Sequence, residues 1–96
     1  MITGKVIWKS PLKTTGNGEF QQVYYLHDVF GQRLESQEYV YRLVVFNDDI
    51  LVLSLQEDCY YQISYYAKNI NHCLNLRDGQ LSFDYVLSQS TQILQL

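Results

Sequence analysis

Alternation of side-chain character is the feature that most constrains the fold of this chain. In a pleated strand successive side chains point to opposite faces, so residues that share a face recur every second position. Five segments have this pattern, and tyrosine, valine and isoleucine, which fit a half-buried pleated surface, are frequent in them. The predicted strands are residues 2–9, 20–30, 39–46, 59–70 and 81–87. The sequence therefore predicts an all-β fold.

The third predicted strand, YVYRLVVF, places an arginine in an otherwise apolar and aromatic run. The period of two assigns three of its side chains to an inward face: Tyr41, Leu43 and Val45. The outward face carries Val40, Arg42, Val44 and Phe46. Because Arg42 shares its face with Phe46, we expect this strand to present a ligand-binding surface.

The same period assigns faces in the other strands. In the second, Tyr24 and Leu26 are expected opposite Val23, Tyr25 and His27. In the first, Lys5, Ile7 and Lys9 are expected on one side, with Val6 and Trp8 on the other. In the fourth, Tyr60, Gln62, Ser64 and Tyr66 are expected opposite Tyr61, Ile63, Tyr65 and Ala67, and in the fifth Leu81, Phe83, Tyr85 and Leu87 are expected together.

Polar segments between these strands predict the connections. Residues 10–18 contain the only proline and two glycines, which is typical of a loop, and Asp78-Gly79 is a turn signal. Asn47, Asp48 and Asp49 can cap free backbone N–H groups at the positive end of a helix dipole, which predicts a short helix over residues 50–55.

Three long strands, a short helix and two further strands predict a five-stranded Greek-key barrel, the OB-fold. A chain of 96 residues is expected to form one core, so the predicted domain spans residues 1–96. An SH3-like barrel is the closest competing fold, but it would not normally place a capped helix between the third and fourth strands.

The segment Tyr41-Arg42-Leu43-Val44-Val45-Phe46-Asn47 resembles the third strand of bacterial and phage single-stranded DNA-binding proteins. In that family a motif of the form aromatic-x-Arg-Val-Val-x-Phe-Gly precedes the helix. GKVI at residues 4–7, GNGEF at 16–20, the acidic pair before Cys59 and DGQLSF at 78–83 fall in the same order. The layout is also similar to short OB-fold proteins of unknown function from bacteria and their phages.

This resemblance implies that bases stack on aromatic rings of the third strand's outer face, beside a cation that holds phosphate. Arg42 matches the family's arginine and Phe46 its stacking phenylalanine. The chain departs from the family at Val40, where a tryptophan is common, and at Asn47, where a glycine is common. The family's acidic tail is replaced by TQILQL.

Single-strand binding without sequence preference needs ring faces for bases and cations for phosphates, and each stacked base contributes about 1–3 kcal/mol. The candidate platforms are Trp8, Tyr25, Phe46 and Tyr66. The candidate cations are Lys5, Lys9, Lys13, Arg42 and Lys68. The alternative for each residue is ordinary: the rings build the barrel wall, and the cations are solvated surface charges.

The sequence offers little for catalysis or metal binding. Cys73 beside His72 and His27 near Asp28 are the available pairs, and neighbouring residues on a strand point to opposite faces. With Cys59 added, the cysteines and histidines lack the paired spacing of structural zinc sites. We therefore expect a non-enzyme without metal or cofactor.

Net charge and the length of the apolar runs indicate where the protein is located and what it binds. The net charge of −3 gives no general attraction to polyanions, so the cations must gather on one face. Without a signal-peptide pattern or a long apolar run, we expect a cytoplasmic protein with free thiols and no membrane contact. The leading hypothesis is a homo-oligomeric protein of replication or recombination, in bacteria or their phages, that binds single-stranded DNA or RNA.

Two other classes of function stay open. One is a protein-interaction module or subunit of a larger complex, which docks a partner through the apolar residues Ile93, Leu94 and Leu96. The other is oligosaccharide binding by a secreted OB-fold pentamer, which fits the length and the two cysteines but not the missing signal peptide.

Overall fold

The computed structural model describes residues 1–28, 40–70 and 83–96. Within these ranges the chain is mostly β-strand, with one short helix, as the alternation predicts. The elements are β1 Ile2–Lys9, β2 Lys13–Thr14, β3 Phe20–His27, β4 Val40–Phe46, α1 Asp49–Val52, β5 Tyr60–Ser64, β6 Ala67–Ile70, β7 Phe83–Leu87 and β8 Gln92–Gln95.

The strands form one curled, open sheet in the order β6-β7-β4-β3-β1-β5-β8, with β2 beside β3. Neighbouring strands are antiparallel, except that β4 and β7 are parallel. The connection from β4 to β7 therefore passes through α1, β5 and β6 before the chain returns beside β4.

The inner face of the curl holds the hydrophobic core. Its fully buried side chains include Tyr24, Leu26, Leu43, Val45, Leu55, Ile63 and Leu87. Tyr41, Leu43 and Val45 lie with this core and Val40 is exposed, as predicted for β4, but Val44, predicted to face outward, is fully buried. We call the opposite side, which carries Tyr25 and Arg42, the outer face.

A β-bulge in β1 changes the predicted faces of that strand. Val6 is aligned with Leu26, but Trp8 is aligned with Tyr25 and Lys9 with Tyr24. The extra residue, Ile7, shifts the alternation by one position. Trp8 therefore lies on the outer face with Lys5, while Lys9 lies on the side of Tyr24. The predicted grouping of Lys9 with Lys5, and of Trp8 with Val6, is wrong.

The predicted fourth strand is divided at Tyr65. This residue has φ 60°, a left-handed conformation that interrupts extended backbone. β5 pairs with β1 and β8, whereas β6 pairs with β7. Because the alternation does not continue through the break, Tyr66 packs against the core instead of sharing the exposed side of Tyr60.

Helix α1 is shorter than predicted and lacks the predicted side-chain cap. Asp48 occupies the N-cap position, but its side chain makes no capping hydrogen bond. Asn47 instead joins β4 to β3, because its Oδ1 accepts the backbone N–H of Phe20 at 3.0 Å. Its φ of 49° is left-handed, a conformation that asparagine and glycine tolerate better than other residues do.

Two short strands were missed by the sequence pattern. β2 lies in the predicted loop over residues 10–18, and β8 lies in the segment predicted to follow the last strand. The Asp78-Gly79 turn, the end of the second predicted strand, and the residues His72 and Cys73 lie outside the described ranges. No helix in the described ranges is long and apolar enough to cross a membrane.

Candidate nucleic-acid interface

Four side chains from four neighbouring strands form a row across the outer face. The ladder aligns Trp8 of β1 with Tyr25 of β3, Tyr25 with Arg42 of β4, and Arg42 with Asp84 of β7. Residues aligned on neighbouring strands project from the same face and lie within contact distance. We call Trp8, Tyr25, Arg42 and Asp84 the outer row.

Two rings of the outer row are already stacked. The ring centroids of Trp8 and Tyr25 are 4.9 Å apart, with an angle of 26° between the planes. The Trp8 side chain is nevertheless 39% exposed, so the stack borders solvent. The bulge at Ile7 produces this contact, because it turns Trp8 to the outer face. The result is a preformed aromatic platform of the kind on which bases stack.

Arg42 forms an ion pair within the row. Its Nη1 lies 2.6 Å from Oδ1 of Asp84, and each side chain is 23% exposed. A guanidinium and a carboxylate at this distance make a short, charge-assisted hydrogen bond. A phosphate that binds Arg42 must therefore compete with the carboxylate of Asp84.

Two further rows extend the outer face. Lys5 is aligned with His27, and His27 with Val40. At the other end Lys13 is aligned with Gln21, and Gln21 with Phe46. Four residues along β3 separate Gln21 from Tyr25, so the Lys13–Phe46 row lies about 13 Å from the outer row.

Between these rows the outer side of the sheet is apolar and is not exposed to solvent. Val23 and Val44 face each other there on β3 and β4, and both are buried. Of the predicted site, the fold therefore brings Trp8, Tyr25 and Arg42 together, with Lys5, Lys13 and Phe46 on the same face.

Lys5 contacts a carboxylate and an aromatic ring. Its Nζ is 3.7 Å from Oδ1 of the largely exposed Asp58 and 6.0 Å from the centroid of the Tyr60 ring. A contact of this kind between solvated charges is weak and screened by salt. Lys5 can therefore leave Asp58 for another anion at little cost.

Three predicted site residues lie away from the outer face. Lys9 is on the inner side, with its Nζ 5.7 Å from the centroid of the Tyr24 ring. Tyr66 packs edge-on against Tyr85 at a centroid distance of 5.3 Å. Lys68 is aligned with Tyr85 and lies 4.1 Å from the centroid of the Phe83 ring. The bulge explains the position of Lys9, and the break at Tyr65 explains those of Tyr66 and Lys68.

Sequence reasoning missed Asp84 as a member of the site. The alternation of the fifth predicted strand does place Asp84 opposite Tyr85, and that signal was available. Its position beside Arg42, however, depends on the parallel pairing of β4 with β7, which joins distant parts of the chain. No pattern in either strand specifies that pairing.

In the part of the chain that the structure describes, no group of three histidine, cysteine, aspartate or glutamate side chains is arranged to hold an ion. His72 and Cys73 lie outside that part. Cys59 is a free, half-buried thiol whose Sγ lies 4.0 Å from Oε1 of Gln56.

Comparison with known proteins gives no relative for this chain. No protein-family model, no curated protein and no solved structure matches it.

Proposed function

We propose that this chain is an OB-fold domain that binds single-stranded nucleic acid on the outer face of β1, β3 and β4. The pairing of the strands supports the fold. β1, β3 and β4 form an antiparallel meander, and β7 lies parallel to β4. β5 and β6 together take the place of one bent fourth strand, with one half beside β1 and the other beside β7.

The observation that carries the function is the outer row. In OB-folds the face of the second and third strands binds oligonucleotides, and here those strands are β3 and β4. Tyr25 and Arg42 are aligned at the middle of this face, and Trp8 stacks on Tyr25. A ring platform beside a guanidinium is the arrangement that holds a base next to its phosphate.

The proposed ligand is single-stranded because its bases must be free to stack. In a duplex the ring faces are covered by neighbouring base pairs, whereas a single strand can turn them toward Trp8 and Tyr25. We propose DNA in replication or recombination as the natural ligand, with no chemical step catalysed. RNA offers the same rings and phosphates, so this surface gives no reason to exclude it.

Trp8 provides a direct test, because it is the only tryptophan in the chain. We expect oligo-dT to quench its fluorescence as bases stack on the platform, and we expect the affinity to fall as salt is raised. Tyr25→Ala should weaken binding by about 1–3 kcal/mol, the contribution of one stacked base. No quenching at about 10 µM protein, within the range of non-specific affinities, would contradict the proposal.

Arg42→Ala and Lys68→Ala form a matched pair for this titration. Both remove one positive charge, but Arg42 lies in the outer row and Lys68 lies over Phe83 on the other side of the sheet. We expect Arg42→Ala to weaken binding and to reduce its salt dependence, whereas Lys68→Ala leaves both nearly unchanged. Equal losses in the two variants would mean that only net charge matters.

A protein-interaction module is the second candidate. A groove beside α1 is lined by Leu12, Phe20 and Leu51, all exposed, together with Asp48. Exposed apolar surface of this kind marks association sites. The ion pair of Arg42 with Asp84 and the net charge of −3 also favour this candidate. It predicts that oligo-dT leaves Trp8 fluorescence unchanged, so the same titration separates the two.

A further inference from the structure

β8 lies at one edge of the sheet that the described residues form. Among the described residues it pairs only with β5. The N–H of Leu96 donates to the carbonyl of Tyr60 at 2.9 Å, which sets the alternation of the antiparallel ladder. The backbone N–H and C=O groups of Ile93 and Gln95 therefore point away from β5, toward the open edge.

This edge is short, but it lacks the charged residues and the proline that protect many sheet edges. Lysine, proline or inward-pointing charge commonly prevents an edge strand from pairing with a second chain. Residues 85–96 contain no charged side chain and no proline. Leu94 is 57% exposed, and the shallow groove beside it is lined by uncharged side chains: Met1, Gln62, Ser64, Gln92 and Ile93.

We propose that β8 pairs antiparallel with β8 of a second copy of this chain, with the two-fold axis at Leu94. A two-fold axis perpendicular to the sheet keeps the outer faces of both copies on the same side. In an antiparallel pair such an axis lies midway between two directly opposed residues, so one residue of β8 must face its own copy. At Leu94, Ile93 of one copy and Gln95 of the other exchange both backbone hydrogen bonds, and the reverse pair does the same. Leu94 then faces its counterpart, and Leu96 faces Gln92.

The other central position fits less well. An axis at Ile93 would place Gln95 opposite Thr91, whose backbone N–H already donates to the carbonyl of Ser88 at 3.0 Å. The axis at Leu94 uses every backbone group that β8 directs to its open edge.

A second identical chain suits this edge because of its lack of charge. The residue on a two-fold axis faces its own copy, so a charge at position 94 would lie opposite a like charge, an arrangement that destabilises a sheet. Each chain also carries a net charge of −3, so the overall charge drives two copies apart, and the contact between them must add no further repulsion. The uncharged strand and its exposed leucine meet this condition. The inference is independent of nucleic-acid binding, and its test contains no nucleic acid.

The test measures molar mass by sedimentation over a range of protein concentrations. We expect the unmodified chain to approach twice the mass of one chain, and Leu94→Lys and Leu94→Glu each to remain at the mass of one. An equimolar mixture of the two variants should recover the dimer, because a lysine then faces a glutamate at position 94. Circular dichroism of each variant checks that the fold is retained.

Val52→Lys and Val52→Glu are the matched controls. Val52 is 64% exposed at the end of α1, which packs on β4, and β3, β1 and β5 separate β4 from β8, so both variants should dimerise like the unmodified chain. The proposal is overturned if the unmodified chain stays monomeric. It is equally overturned if either Leu94 variant still dimerises alone, or if their mixture stays monomeric.

Discussion

At the scale of single residues, the ion pair between Arg42 and Asp84 controls the charge of the outer row. The pair is short and each side chain is mostly covered, so the guanidinium is held in place beside the stack of Trp8 and Tyr25. The carboxylate that positions Arg42 also lowers its attraction for phosphate, because the pair as a whole is neutral. In the proposed complex, Asp84 would therefore weaken the binding of phosphate while it keeps the Arg42 side chain in one position.

Asp84→Asn separates these two effects. The amide keeps the shape of the side chain but removes the negative charge, so Arg42 becomes available to a phosphate. We expect tighter binding of oligo-dT, with a salt dependence steeper by about one phosphate contact. We also expect a loss of about 1–3 kcal/mol in the free energy of unfolding, since a charge-assisted bond is weakened. Fluorescence titration measures the affinity for oligo-dT, and urea denaturation measures the free energy of unfolding.

Asp48→Asn is the control for that substitution. Asp48 is exposed beside α1, makes no capping hydrogen bond, and its replacement changes the net charge by the same amount. We expect it to leave the affinity almost unchanged. An equal gain in affinity from both substitutions would show that total charge, and not release of Arg42, causes the effect.

Gly4 is needed for close approach of two strands. A Cβ at this position would overlap the backbone carbonyl of His27 on β3, and that carbonyl cannot move without disturbing the ladder. We expect Gly4→Ala to lower the free energy of unfolding by about 1–3 kcal/mol, the range typical of overpacking. A Cβ at Gly16 meets nothing within 4 Å, so Gly16→Ala should change it by less than about 0.5 kcal/mol. Similar urea midpoints for the two variants would contradict this account.

At the scale of elements, one bulge and one break decide which residues reach the outer face. The bulge at Ile7 turns Trp8 outward and Lys9 inward. The break at Tyr65 turns the strand so that β5 pairs with β1 and β6 with β7. The bulge and the break each move every later residue of the strand to the opposite face.

Substitutions at Tyr65 test the break. The residue is exposed and has φ 60°, a conformation that glycine adopts without strain and that β-branched residues strongly disfavour. We expect Tyr65→Gly to keep or raise the free energy of unfolding by up to about 1 kcal/mol, and Tyr65→Val to lower it by about 1–2 kcal/mol. Thermal unfolding of both compares them under one condition, and a more stable valine variant would argue against a left-handed Tyr65.

These devices also explain how far the sequence predicts the fold. Strand β1 and the faces of β3, β4 and β7 follow from alternation, because those segments are regular apart from the bulge. Lys9, Tyr66 and Lys68 lie on a different face from the one that alternation predicts. The pattern could not predict these changes of face, because neither Ile7 nor Tyr65 is a residue type that signals a bulge or a left-handed turn. β2 is a polar pair of residues and β8 has two polar residues among four, so both form through packing and pairing and not through composition.

The same limit applies to the candidate site. Arg42 and Phe46 share a face because they lie on one strand at even spacing, and local pattern suffices for that. The stack of Trp8 on Tyr25 and the pair of Arg42 with Asp84 depend on which strands become neighbours. Pairing between distant strands is decided by the whole core and is not encoded in any one segment.

At the scale of the whole molecule, the β8 dimer would join two outer faces. A two-fold axis perpendicular to the sheet at Leu94 keeps both outer faces on the same side of the joined sheet. A single strand of sufficient length could then contact the outer rows of both copies. Two linked sites bind one long ligand more tightly than either binds alone, because the second contact is intramolecular.

The length dependence of binding therefore tests both proposals together. For the unmodified chain we expect a long oligo-dT to bind about 100-fold more tightly than one that covers a single outer face. Leu94→Lys and Leu94→Glu should remove most of this difference, because each variant is expected to be monomeric. These substitutions change the charge in opposite directions, so an effect common to both comes from loss of the dimer. Titration of Trp8 fluorescence with a series of lengths measures it, and a length dependence that is the same in all three proteins would show that the copies bind independently.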